Sequence, residues 1–127
     1  MTGGAGSDTV FYDDVTQSRA VGLGFDRLVG FDDDADKIQL SGLSVASFAG
    51  AVAGSLSAAS MSADLEGEIT VLGANQALLF TANAGDLAGR SFLLIDANGT
   101  AGFQASSDFV IEIVTPASAI DNLGMFV

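Results

Sequence analysis

A glycine-rich segment near the start of the chain restricts the fold more than any other part of the sequence. Residues 3–11 read Gly-Gly-Ala-Gly-Ser-Asp-Thr-Val-Phe. Gly3, Gly4 and Gly6 can adopt backbone conformations that a Cβ atom forbids, so this turn can curl its carbonyl oxygens around a cation. Asp8 adds a carboxylate, and Ca²⁺ prefers hard oxygen ligands. We therefore predict a calcium-binding turn that leads directly into a short strand.

The same nine-residue pattern returns once, in a degraded form. The pattern Gly-Gly-x-Gly-x-Asp-x-U-x, in which U is apolar, is the repeat unit of parallel β-rolls. Residues 21–29 match it with Gly22, Gly24 and Asp26, although valine replaces the first glycine. Residue 21 lies 18 residues after residue 3, which is two repeat units and one full coil of such a roll. We predict that the two turns stack and share a calcium ion between Asp8 and Asp26; the alternative is an ordinary amphipathic strand after a Gly-x-Gly turn.

The chain is strongly acidic, with 16 acidic and 4 basic residues and a formal net charge of −12. Such a chain repels polyanions, so we expect no nucleic-acid binding, and no apolar stretch is long enough to predict stable membrane insertion. Bound calcium would neutralise part of this charge, whereas a merely acidic soluble domain needs no ion. Cysteine and histidine are absent from the sequence, which removes the commonest general base and the usual zinc ligands. We therefore expect a protein without enzymatic activity.

An acidic run comes before a predicted strand over residues 37–40. Asp32, Asp34 and Asp36 have the alternate spacing of a calcium loop, but no glycine or distal glutamate completes an EF-hand. Two interpretations stay open, namely a bound ion and a solvated acidic turn.

Apolar residues at helical spacing predict a helix over residues 44–68, with Ser44 as its N-cap. Gaps of three or four residues separate most members of this series, which are Val45, Phe48, Val52, Leu56, Met61, Leu65 and Ile69. Gly50 and Gly54 each weaken a helix by about 1 kcal/mol. We therefore expect a helix in two pieces.

The second half of the chain predicts β-strands. Residues 76–81, 91–95 and 109–115 are rich in branched and aromatic side chains and are separated by turns with glycine, asparagine or aspartate. The last five residues could add an edge strand or remain a flexible tail.

Between the last two of these strands, Asp96, Asn98 and Thr100 alternate in the manner of the first half of a calcium loop. Asp108 or Glu112 could return to complete the ligand set. An aspartate/asparagine-glycine turn that needs no ion is the alternative.

Taken together, these segments resemble the C-terminal end of repeats-in-toxin proteins, also called haemolysin-type calcium-binding proteins. The resemblance rests on residues 3–11 and on residues 26–31 with 36–42, which are similar to the segments that close the roll in serralysin-type proteases. Gly30 and Gln39 stand where that pattern often carries aspartate. Residues 75–113 also resemble the tail of bacterial surface proteins of the same secretion class.

The resemblance implies a mainly β fold: the end of a calcium-binding parallel β-roll, capped by a small α+β or β-sandwich-like region. Residues 1–43 would form the last coil of the roll and its exit strands, and residues 44–127 the capping region, in one continuous domain. Upstream domains of a larger protein would precede it.

The resemblance also implies a function, that of a non-catalytic module with an uncleaved type I secretion signal. The signal would include the C-terminal apolar residues Leu123, Met125, Phe126 and Val127. Its partners would be an ABC transporter, an adaptor and an outer-membrane channel, and the protein would be secreted or held at the surface of a Gram-negative-type bacterium. The alternative is a surface-attachment or self-assembly module of an S-layer protein or adhesin.

Overall fold

The computed structural model describes residues 6–116, 120 and 123–126. Within these residues the chain forms seven strands, one α-helix and four short 3₁₀ helices. The strands are β1 (Thr9–Tyr12), β2 (Asp26–Val29), β3 (Lys37–Leu40), β4 (Ser47–Ser55), β5 (Gln76–Ala84), β6 (Ser91–Ile95) and β7 (Phe109–Val114), and the α-helix is α1 (Met61–Glu68). The 3₁₀ helices are Val15–Gln17, Val21–Leu23, Ala58–Ser60 and Leu123–Met125.

Five strands form the central sheet, in the order β2-β7-β6-β5-β4. β5, β6 and β7 are antiparallel neighbours, whereas β2 runs parallel to β7 and β4 runs parallel to β5. A parallel pair requires a crossover connection, and α1 lies in the connection between β4 and β5. β1 and β3 form a separate two-stranded parallel sheet.

The central sheet is buried on both faces. On one face Phe80 and Phe92 pack in a cluster with Leu65 of α1, while on the other Ile111 packs in a cluster with Ile38 of β3. Along β6 and β7 most residues are buried, because successive side chains enter opposite clusters. The prediction of a mainly β protein is confirmed. Within the described residues, the stacked coils of a parallel β-roll are not seen.

Sequence patterns located β3 and three strands of the central sheet closely. β3 and β6 have the predicted bounds, β7 ends one residue earlier than predicted, and β5 continues to Ala84. These strands combine β-branched and aromatic residues with clear turn signals at both ends, so local preference and tertiary pairing agree.

The predicted helix over residues 44–68 is wrong in its first half, which forms β4. Only Met61–Glu68 is α-helical. Gly50 has a φ of +118° and lies where the β4–β5 register shifts, which is a β-bulge. The conformational freedom of glycine, which would weaken a helix, is what allows the bulge in this strand. The ladder with β5 satisfies the backbone of this segment, and tertiary pairing therefore decides its conformation.

The predicted stacking of turns 18 residues apart is also absent from the described residues. β1 pairs with β3, beginning at Thr9↔Lys37, and not with β2. β2 instead pairs with β7 in the central sheet, beginning at Asp26↔Ile111. A strand from the predicted roll segment therefore belongs to the same sheet as strands of the predicted capping region, and the two segments share one core.

The C-terminal residues pack against the two-stranded sheet. Met125 is buried, and Phe126 forms a parallel bridge with Ile38 of β3. The Phe126 and Phe48 rings lie 5.9 Å apart between centroids. The predicted edge strand is thus reduced to a single bridge after a 3₁₀ turn, and residue 127 lies outside the described residues.

The β5–β6 connection provides a test of this packing. Gly85 and Gly89 both have a positive φ, of +82° and +87°. A Cβ on Gly85 would collide with the carbonyl oxygen of Leu56, whereas a Cβ on Gly89 would meet no atom within 4 Å. Gly89→Ala should therefore cost about 1–2 kcal/mol of unfolding free energy for its backbone conformation alone, and Gly85→Ala should cost about 1–3 kcal/mol more because of the collision. Urea unfolding of the two variants measures the difference, and equal losses would contradict the close approach to Leu56.

Candidate metal centres

Three consecutive aspartates gather their carboxylates in the loop before β3. The ligand oxygens of Asp32, Asp33 and Asp34 all lie within 4.8 Å of one another. This is twice the usual Ca²⁺–oxygen distance of about 2.4 Å, so the three oxygens fit around one ion. Asp33 is buried, Asp32 is half-buried and Asp34 is exposed. We refer to residues 32–36 as the acidic loop.

Asp36 holds the acidic loop against the start of β1. Its Oδ1 atom accepts a hydrogen bond from the Asp8 N–H and its Oδ2 atom accepts one from the Asp32 N–H, both at 2.9 Å. The Lys37 N–H donates to the Asp8 carbonyl oxygen at 2.7 Å, which begins the β1–β3 ladder. Because both oxygens of Asp36 accept backbone donors, this side chain positions the loop.

The sequence pattern identified the acidic loop but not the correct set of neighbouring carboxylates. Alternate spacing pointed to Asp32, Asp34 and Asp36, whereas the structure groups Asp33 with Asp32 and Asp34. Residues 33–35 form a turn, and a turn brings consecutive side chains together where an extended strand would separate them. The unbroken run of three aspartates was the available signal for Asp33.

The first predicted glycine turn is described only in part. Gly3 and Gly4 lie outside the described residues. Gly6 has a φ of +102° with open space around its Cα, as the predicted turn requires. Asp8 is half-buried next to Asp36. The described end of this segment, at Asp8, therefore lies beside the acidic loop.

The second predicted turn, at residues 21–26, is closed by its own hydrogen bonds. Gly22 has a φ of +63° inside a 3₁₀ helix, and the Gly24 carbonyl oxygen accepts the Arg19 N–H at 3.2 Å. The Asp26 N–H donates to the Ser18 hydroxyl at 2.8 Å. Asp26 begins β2 in the central sheet, whereas Asp8 precedes β1 in the other sheet. The turns that contain these two residues therefore do not stack as neighbouring coils of a roll.

A second acidic group lies at the end of the β6–β7 hairpin. Ile95 of β6 pairs with Phe109 of β7, and the next residue outward on each strand is an aspartate, Asp96 and Asp108. Both aspartates are fully buried. The structure thus brings together two of the four residues that the sequence predicted as ligands in this loop.

Backbone donors surround this pair but leave one oxygen without a donor. Asp108 accepts the Ala97 and Gln104 N–H groups, at 3.0 and 2.7 Å. The Oδ2 atom of Asp96 accepts the Asn75 and Gly99 N–H groups, at 2.8 and 3.0 Å. The Asp96 Oδ1 atom is buried and has no hydrogen-bond partner.

The other two predicted ligands of this loop lie on the surface. Asn98 and Thr100 are exposed, and the Asn98 Oδ1 atom accepts the Thr100 N–H at 2.9 Å. This is the local turn that aspartate and asparagine commonly form. The alternation at these positions therefore corresponds to turn structure.

Burial, with a smaller contribution from the neighbouring Asp96 carboxylate, raises the pKa of Asp108 to about 6 against the lowering effect of the Gln104 and Ala97 N–H donors. The two carboxylates lie close enough to interact electrostatically. Like charges opposite one another on adjacent strands destabilise a sheet. A proton or a cation between them would remove this repulsion.

Glu112 shows how the same sheet accommodates a buried carboxylate without an ion. Arg90 donates to it from two nitrogens, both at 2.7 Å, and Arg27 donates from Nε at 3.0 Å. The Arg90 hydrogen bonds, with a smaller contribution from Arg27, hold the pKa of Glu112 below its ordinary value. Within the described residues these arginines form all the salt bridges found, so Asp96 and Asp108 have no such partner.

No protein-family model, curated protein or solved structure matches this chain. In the described part of the chain, none of the helices has the length and apolar character needed to cross a bilayer. The assignment of functional residues therefore depends on the geometry of the two acidic groups.

The raised pKa of Asp108 predicts a pH dependence of stability in calcium-free buffer. An unfolded aspartate has a pKa of about 3.9, so between about pH 4 and pH 6 the folded state binds more protons than the unfolded state. The contribution of Asp108 is present in full below pH 4 and is lost as the pH rises through about 6, which should cost about 3 kcal/mol. Urea unfolding at intervals from pH 4 to pH 7.5 measures this change.

Other carboxylates also titrate in this range, so the comparison must be made with a variant. The difference in unfolding free energy between the wild type and Asp108→Asn should shift against the wild type as the pH rises. Asp86→Asn, which removes an exposed charge at the other end of β6, corrects for net charge. A difference that does not change with pH would show that Asp108 ionises as it does in the unfolded chain.

Proposed function

We propose that this chain is a non-catalytic calcium-binding module that ends a β-roll in a larger secreted protein. The observation that carries the proposal is the convergence of the Asp32, Asp33 and Asp34 carboxylates within 4.8 Å in a chain of net charge −12. Three like charges this close repel one another, and a Ca²⁺ ion would convert that repulsion into attraction. Oxygen-only ligands favour a hard cation over a transition metal.

An ion in the acidic loop would stabilise the junction between β1 and β3. Asp36 connects the loop to the Asp8 backbone, and Asp8 follows the glycine turn at residues 3–6. Among the described strands, β1 pairs only with β3, so its other edge is available to a preceding coil. We infer that upstream repeats would stack on this edge.

Calcium would cause the domain to fold only after export. Extracellular calcium modules have Kd values of roughly 10⁻⁴–10⁻³ M. Such a site is empty inside a cell, where the acidic chain repels itself and stays unfolded. Outside, calcium binding would add its free energy to folding.

The C-terminal apolar residues Leu123, Met125, Phe126 and Val127 would form the signal read by a type I exporter of three parts: an ABC transporter, an adaptor and an outer-membrane channel. In the folded chain Met125 is buried and Phe126 contacts β3. The exporter would therefore read this segment before the domain folds. The protein would then be secreted or remain at the cell surface.

One observation favours the alternative function, a self-assembly module of a surface protein. β4 is nine residues long and lies at an edge of the central sheet. An edge strand offers unpaired backbone groups to a strand of another chain. Sedimentation velocity with calcium and with chelator separates the two functions, because a secretion module stays monomeric in both buffers and an assembly module associates when calcium is present.

Calcium should raise the thermal stability of the protein, and magnesium should not reproduce the effect. For a Kd near 10⁻⁴ M, 10 mM calcium adds about 2.7 kcal/mol to folding, which corresponds to a rise in Tm of about 10 °C for a domain of this size. Circular dichroism melts in chelator, in magnesium and in calcium measure the shift.

Two single-charge variants assign the effect to the acidic loop. Asp34→Asn removes an exposed carboxylate of the cluster and should reduce the calcium-induced rise in Tm. Asp13→Asn removes the same charge from an exposed residue beyond the opposite end of the β1–β3 pair and should leave that rise unchanged. Equal responses of the two variants would exclude the acidic loop as the calcium site.

The secretion signal can be tested separately, with a passenger protein fused upstream of this chain in a Gram-negative host that carries a type I exporter. The double variant Met125→Asp/Phe126→Asp should leave most of the passenger inside the cells, because the apolar end is lost. Val71→Asp places an acid on an exposed apolar residue elsewhere and should be secreted as the wild type is. Undiminished export of the double variant would refute the assignment of the signal.

A further inference from the structure

The end of the β6–β7 ladder places two acids where a sheet normally avoids them. Asp96 and Asp108 follow directly outward from the Ile95↔Phe109 pair, so they are cross-strand neighbours. Neighbours of this kind have Cβ atoms about 4.5–5.5 Å apart, and like charges there are destabilising. Both residues are fully buried, so water cannot screen the repulsion.

The donors around this pair are already in use. Four backbone N–H groups, from Asn75, Gly99, Ala97 and Gln104, satisfy the Asp96 Oδ2 atom and both oxygens of Asp108. The buried Asp96 Oδ1 atom receives no hydrogen bond. An unsatisfied buried carboxylate oxygen is costly, and beside a second carboxylate that cost is relieved by a shared proton or by a cation.

The chain supplies no side-chain cation here, since the described salt bridges both involve Glu112. The Gln104 Oε1 atom, in the loop between these two aspartates, is also buried without a hydrogen-bond partner. The carboxylates of Asp96 and Asp108 make an oxygen-only set of donors. Calcium accepts such sets in irregular geometry, whereas magnesium demands a near-ideal octahedron.

We propose that Asp96 and Asp108 bind a calcium ion that closes the base of the β6–β7 hairpin. This site uses no residue of the acidic loop; it deepens the proposed function, on which it rests, by assigning a second ion to residues of the central sheet. The ion joins the end of β6 to the start of β7, and through the Asp96–Asn75 hydrogen bond it also fixes the residue before β5. Its role is to lock the centre of the sheet.

The substitution Asp96→Asn separates a cation site from a purely structural pair. An asparagine oxygen in the Oδ2 position can still accept the Asn75 and Gly99 N–H groups, and its NH₂ group then takes the Oδ1 position. There it replaces a repelling oxygen with a hydrogen-bond donor. Without calcium, the variant should therefore have a Tm no lower than that of the wild type, and about 3 °C or more higher if the full repulsion is relieved. The variant should also fail to bind calcium at this site.

The experiment is a calcium chloride titration of the full chain followed by ¹H–¹⁵N NMR. In the wild type, the amide signals of the four donors to the pair should shift together and saturate at millimolar calcium. These donors are Asn75, Ala97, Gly99 and Gln104. In Asp96→Asn these signals should not respond, and Asp86→Asn, which changes the same charge at the other end of β6, should behave as the wild type does.

The acidic loop is read in the same spectra through the amides of Asp8 and Asp32, so failure of one site is distinguishable from failure of the other. Unchanged signals of the four donors at 10 mM calcium in the wild type would overturn the proposal, whatever the variants do. A calcium-free Asp96→Asn protein that melts below the wild type, or one that keeps the same calcium response, would overturn it as well.

Discussion

The antiparallel pairing of β6 with β7 is the constraint on which the rest of the structure depends. These two strands occupy the middle of the central sheet, and their residues are almost all buried. Alternate side chains feed two separate clusters, one under α1 and one under the β1–β3 pair. Each outer layer therefore covers apolar surface that the hairpin presents. The parallel strands β2 and β4 are added at the edges, where they need only one neighbour each. The hairpin also positions one of the two acidic groups, because the ladder ends at the Ile95↔Phe109 pair and the next residue on each strand is an aspartate, Asp96 and Asp108.

The buried carboxylates divide into two kinds that differ in how their charge is compensated. Glu112 is neutralised by two arginines, half of the four basic residues in the chain. Asp96 and Asp108 receive only backbone dipoles, and the Asp32–Asp34 group has two acidic neighbours for every carboxylate. Two of the four basic residues are therefore used at one structural site, and among the described residues neither Asp96 nor Asp108 has a salt-bridge partner. On the proposed function, calcium would balance the charge of that pair.

The strands that sequence patterns located well are those in which local preference and tertiary pairing coincide. β3 and β6 begin and end at the predicted residues because turn signals enclose short runs of branched and aromatic side chains. β4 was mistaken for a helix because the gaps between Val45, Phe48, Val52 and Leu56 suit a helix, whereas its conformation is set by pairing with β5, which the sequence does not display. The 18-residue register failed for a similar reason, since Asp8 donates its N–H to Asp36 and accepts the Lys37 N–H, which joins β1 to a strand 28 residues away. At the candidate metal centres, spacing pointed to Asp96 and Asp108 but missed Asp33, because spacing rules assume an extended or helical backbone and residues 33–35 form a turn.

The bridge between Ile38 and Phe126 has a consequence for the traffic of this protein. Ile38 lies in the strand that begins where the acidic loop ends, so whatever orders the loop also orders the surface on which Phe126 docks. Linkage between two binding events is reciprocal. If a bound ion makes docking of the C-terminal residues more favourable by some factor, docking raises the affinity for the ion by the same factor. On the proposed function, a receptor that holds the C-terminal residues away from β3 would therefore weaken calcium binding at the acidic loop. Conversely, calcium bound at the acidic loop would favour docking of Phe126 on β3 and so release the C-terminal residues from that receptor.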